Sequence, residues 1–139
     1  MYAVDIYTDG ACSNNPGPAG VGIIIIDQYT KKKKEISKYI GHATNNIAEI
    51  KAVILSLAAL KYPDKTNVTL HTDSQLVIGF VKNNWKPKKN KDLVDKMLKM
   101  IDTLNSFHII KVKGHSDDVL NNRADQLAVQ AIKKIAKER

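Results

Sequence analysis

Asp9, Glu49, Asp73 and Asp125 are the residues of this 139-residue chain that invite a chemical reading. Four carboxylates brought to one place would repel one another, and some would keep their protons unless a cation neutralised them. Carboxylate oxygens with few nitrogen or sulfur donors suit Mg²⁺ or Mn²⁺. Ions of that kind act on phosphates. Each acid alone has a plainer reading. Asp9 before Gly10 is a turn residue. Glu49 pairs with a capping Asn46, and Asp125 with a capping Asn122, each at the spacing of a capping box. Asp73 is an N-cap. Two features favour convergence. Two of the acids end strands and two begin helices. Asp125 also heads an apolar row of Ala128, Val129, Ile132, Ile135 and Ala136, which predicts that it faces the sheet.

The elements that must position these acids follow from the periodicity. Met1 to Asp9, Val21 to Asp27 and Lys34 to Ile40 read as strands of an antiparallel meander, with Gly10 to Gly20 as a loop. Thr44 to Lys61 reads as a helix ended by Pro63, Asn67 to Thr72 as a strand, and Ser74 to Lys82 as a helix. Asn90 to Leu104 is a helix, Phe107 to Lys113 a strand, and Asn121 to the C-terminus a final helix. Strands followed by alternating helices and strands give an α/β fold. It is a mixed five-stranded sheet, with three antiparallel strands first, flanked by helices. Residues 1–139 read as one domain, since no linker, repeat or low-complexity boundary interrupts them.

Composition narrows the partner. Lys plus Arg exceeds Asp plus Glu, 22 against 14, and the net charge of +8 suggests a polyanion. The longest apolar runs are too short to span a membrane. Met1 to Asp5 starts directly as a strand rather than as a signal peptide. The one cysteine, Cys12, excludes an internal disulfide and fits a reducing compartment, so a cytoplasmic location is expected. Trp85 stands among Lys86, Lys88, Lys89 and Lys91, a setting that suits packing on a sugar–phosphate backbone as well as partial burial. Lys31 to Lys34 read as decoration of a hairpin tip. His115 lies in a polar loop, Gly114 to Asn122, whereas His42, His71 and His108 read as structural.

At this point the chain resembles the type 1 ribonuclease H family. Tyr7-Thr8-Asp9-Gly10-Ala11-Cys12 with Asn15-Pro16-Gly17-Pro18-Ala19-Gly20 is similar to that family's opening strand and loop. Thr44 to Glu49 is similar to its second motif and Thr72 to Gln75 to its third. Val112 to Ser116, with Asn122 to Ala128, is similar to its last loop and helix. The matches run in family order over nearly the whole chain. The resemblance implies a ribonuclease H-like fold and an endonuclease that cuts the RNA strand of an RNA–DNA hybrid, leaving 5′-phosphate and 3′-hydroxyl ends. It implies that Asp9, Glu49, Asp73 and Asp125 hold two Mg²⁺ ions, with Mn²⁺ as an alternative. It also implies that His115 assists proton transfer or product release. Neutral polar groups beside the acids can read the 2′-hydroxyl. Asn15, Thr44, Asn45, Asn46, Ser74 and Gln75 are the candidates, with Trp85, Lys86, Lys88 and Lys89 on the backbone. A monomer is expected. Many members carry a longer basic insertion after the third motif, and only a short stretch separates Val81 from Asp92 here. Three rivals remain open: a metal nuclease of the same general fold acting on DNA, a module that binds nucleic acid without cutting it, and the ribonuclease domain of a reverse transcriptase.

Overall fold

The computed structural model describes residues 1–113 and 118–138. Its first three strands, β1 (Tyr2–Cys12), β2 (Gly17–Asp27) and β3 (Lys33–Ala43), form the expected antiparallel meander. They are longer than their composition suggests. Gly10, Ala11 and Cys12 continue β1 and pair with Val21, Gly20 and Ala19, so the expected loop shrinks to residues 13–16. Asp9 therefore lies within β1 rather than ending it. The turn is closed where Ser13 N–H donates to the Pro18 carbonyl (2.8 Å). Small residues that resemble loop composition serve here as strand positions on which helices can settle closely.

Next come α1 (Asn45–Ala58), a 3₁₀ turn (Pro63–Lys65), β4 (Thr66–Thr72) and α2 (Gln75–Lys82). The chain finishes with α3 (Lys91–Asp102), β5 (Ser106–Lys111) and α4 (Val119–Glu138). The strand order is β3-β2-β1-β4-β5. β4 pairs parallel with both β1 and β5, which gives the mixed α/β sheet expected.

The two faces are covered differently. Val4 and Ile6 of β1 join Val68 and Leu70 of β4 beneath Ile50, Val53 and Leu57 of α1. Val77 and Phe80 of α2 and Val94 and Met97 of α3 complete this core. Removing these side chains from water supplies the main drive for folding. On the other face α4 packs on β1, β2 and β3. Its buried residues are Asn121, Ala124, Leu127, Ala128 and Ala131. The row predicted to face the sheet is therefore displaced. Val129, Ile132 and Ile135 are half-buried, and Asp125 and Ala136 are exposed. The cause is close approach. A Cβ on Gly22 would overlap the Ala124 carbonyl, and a Cβ on Gly20 would lie 2.5 Å from that of Ala128. Only a row of small residues fits so near a strand, and the branched residues flank it.

Candidate functional site

Each of the three helix starts beside the acids is capped by a residue other than the one its sequence suggests. At α1 the cap is Thr44, whose Oγ1 accepts from Ile47 N–H (3.2 Å), not Asn46. At α2 it is Ser74, whose Oγ accepts from Val77 N–H (3.2 Å), not Asp73. At α4 the Asp118 carboxylate accepts from Asn121 N–H (2.9 Å), ahead of Asn122. The capping work is done by neighbours, which leaves Glu49, Asp73 and Asp125 without the local role that a capping pattern assigns them.

The freed acids converge. Carboxylate oxygens of Asp9, Glu49 and Asp73 all lie within 4.8 Å of one another. Asp125 lies outside that set, near enough that its carboxyl helps raise Asp9 and its charge helps raise Glu49. Asp125 meets the group from the exposed rim of α4, not from its buried face. β1 and β4 deliver Asp9 and Asp73 in matched register. Tyr7 pairs with His71, and each acid lies two residues further on. The pairing is fastened by the His71 ring, which stacks on Tyr7 (4.2 Å between centroids, 6° between planes). His71 Nε2 also lies 2.9 Å from Asp5 Oδ1. His71 thus keeps the structural role expected of it. Glu49 is fixed by the Gly10 N–H, which donates to its Oε1 (3.1 Å).

Crowded carboxylates in a half-dry site hold their protons. Asp9, 7% exposed, is pushed up to about 10, first by burial and then by the charge and hydrogen bond of Glu49. Glu49 is raised to about 7 by burial and by the charges of Asp73 and Asp125, against the lowering effect of its bonds to Asp9 and Gly10. A set of oxygens that cannot all ionise together is a fit for a hard divalent cation. The cation would take the place of the retained proton.

The neutral groups expected to read a sugar fall into two sets. Thr44 and Ser74 accept hydrogen bonds as helix caps. Asn15 accepts from Asn45 N–H (3.1 Å), tying the β1–β2 turn to the start of α1. The side chains of Asn45, Asn46 and Gln75 are exposed beside the acids. Asn46 also lines a groove of about 490 Å³ together with Trp85, Lys86, Lys88 and Lys89, so the predicted backbone contacts share one surface with it. The groove's apolar floor of Ile50, Leu76 and Phe80 was not foreseen. Its signal is the apolar character of α1 and α2 near their first turns. His115 lies outside the described residues.

The RNase H family model matches residues 1–133. Ribonuclease H of Caldanaerobacter subterraneus subsp. tengcongensis is 45% identical over 149 residues, covering 97% of this chain and 94% of that protein. RNase H1 from Halobacterium salinarum has a TM-score of 0.81 at 29% identity, covering 95% of this chain and 98% of the other. LC11-RNase H1, solved in complex with an RNA/DNA hybrid, has a TM-score of 0.78 at 30% identity, covering 96% and 99%. Fold and acids define an α/β protein of the ribonuclease H-like class. The chain belongs to the RNase H family.

Proposed function

We propose that this chain is a cation-dependent endonuclease that hydrolyses the RNA strand of RNA–DNA hybrids, leaving 5′-phosphate and 3′-hydroxyl ends. The observation that carries the reading is the meeting of Asp9, Glu49 and Asp73 within 4.8 Å, with Asp125 near enough to help raise Asp9. Support comes from family membership and from the hybrid bound to LC11-RNase H1. Residues 1–139 act as one catalytic domain, monomeric and cytoplasmic. Among the described residues no helix is long and apolar enough to cross a membrane.

Asp9, Glu49, Asp73 and Asp125 would hold two Mg²⁺ ions, or Mn²⁺ in their place. When bound, such ions supply a water of lowered pKa and neutralise charge on the departing 3′ oxygen. Asp9 would have to lose its proton to serve as a ligand. Glu49, held by the Gly10 amide and hydrogen-bonded to Asp9, would contact a cation and a 2′-hydroxyl. Asn45, Asn46 and Gln75, with Asn15, Thr44 and Ser74 shaping the loops around them, present donors and acceptors to the 2′-hydroxyls of one strand. Lys86, Lys88 and Lys89 hold phosphates without sequence preference, and Trp85 packs on the backbone. His115 serves proton transfer or product release, as a group titrating near neutrality can.

The test is a cleavage assay on RNA–DNA, RNA–RNA, DNA–DNA and single-stranded RNA, with Mg²⁺ and with EDTA. Only the hybrid should be cut, and only with the cation. A hybrid with a single 2′-deoxy substitution at the cleavage site should resist cutting there, and undiminished cutting would refute the assignment to RNA.

A further inference from the structure

We propose that Gly79 is a positioning residue that seats the Trp85 indole as a fixed wall of the substrate groove. The proposal rests on the hybrid-binding reading above. Glycine is the poorest residue after proline for a helix interior, yet Gly79 lies buried in the middle of α2. A Cβ there would overlap three carbons of the Trp85 ring. The indole therefore lies against the helix at Gly79, where any other residue would hold it off.

The chain is folded back to bring it there. Asn84 adopts a left-handed backbone (φ 54) immediately after the helix. The Asn83 and Trp85 N–H groups both donate to the Gly79 carbonyl (3.1 Å each). One residue thus terminates α2 and receives the ring. Trp85 remains 49% exposed, and it borders the groove that Asn46 and the three lysines also line. Asn46 lies one helical turn before Glu49, so the groove leads away from the acids. A strand with a phosphate at the acids would meet an aromatic surface that needs no rearrangement. A platform already in place saves the ordering cost of binding.

Trp85 is the only tryptophan, so its emission reports on its own seat. Gly79→Ala should shift that emission to the red and expose it to acrylamide quenching in the absence of nucleic acid. The same change should raise KM for hybrid about tenfold while kcat stays within about twofold, the size expected for losing one stacked contact. In a Trp85→Ala background, Gly79→Ala should leave KM unmoved and raise Tm by a few degrees, as an alanine does in a helix interior. An unchanged emission spectrum would overturn the proposal. So would an equal KM penalty in both backgrounds, or no penalty in either. If the unsubstituted protein cut no hybrid, the reading of function would fall. The emission and Tm measurements would still decide whether Gly79 seats the ring.

Discussion

The carbonyl of Ala124 in α4 rests directly on Gly22 of β2, with no room between them for a side-chain carbon. Asp125 is the next residue of that helix, so the strand contact sets how far this acid stands from Asp9. Gly22→Ala should lift the first turns of α4. Overpacking of this kind costs about 1–3 kcal/mol, to be read by thermal or denaturant melts. It should also lower kcat more than it raises KM, because one acid is displaced while the groove is untouched. A variant with normal kcat would show that the position of Asp125 tolerates this shift.

The same helix is held at its edge by charge. Arg123 donates from Nε and a terminal nitrogen to both oxygens of Glu35 on β3 (2.8 and 2.9 Å). Both side chains are about two-fifths exposed, so the pair should contribute little to overall stability. Its effect should appear in catalysis. Glu35→Gln and Arg123→Ala should each lower kcat several-fold, the double variant should be no worse than either single one, and Tm should barely move. Additive losses in kcat would mean that the two residues act separately.

Stability should depend on pH through the acids. The native pKa of Asp9 is raised from 3.8 to about 10. The native state thus binds this proton more tightly than the unfolded chain does. Its contribution is full below pH 4 and is lost as pH rises toward 10. Glu49, raised from 4.5 to about 7, acts in the same direction over a narrower range. In EDTA, Asp9→Asn should therefore raise Tm at pH 8 by several degrees and much less at pH 5. A larger gain at pH 5 would contradict the burial of this group.

Cations should reverse that penalty. Adding Mg²⁺ at pH 8 should raise Tm, each bound ion contributing about 2.7 kcal/mol when the free ion is a hundredfold above its Kd. Asp9→Asn and Asp73→Asn should blunt the response and abolish cutting while hybrid binding persists. A full Mg²⁺ shift in Asp73→Asn would place the ion elsewhere.

The order of strands and helices along the chain was legible because their periodicities differ, and the four acids were legible as residue types. Their surroundings were not. Gly10, Ala11 and Cys12 look like loop because composition does not report that a neighbouring strand completes their hydrogen bonds. Asn46, Asp73 and Asn122 look like caps because each is a fair capping residue. Thr44, Ser74 and Asp118 are equally fair, and only the packed helix decides between adjacent candidates. On α4 the apolar residues occupy more than half of the circumference. The buried row was chosen by Gly20 and Gly22, far away in sequence. The groove near Trp85 depends on a left-handed Asn84, a conformation that two consecutive asparagines permit without announcing.

Asp9, Glu49 and Asp73 all precede α2, whereas Asp125 arrives with the closing helix. While this polypeptide is being synthesised, the sheet can pair as far as β4 with three acids already gathered. The fourth must wait until α4 leaves the ribosome and settles on β2. A half-made copy thus carries an incomplete cluster, and the last helix is the part that arms it.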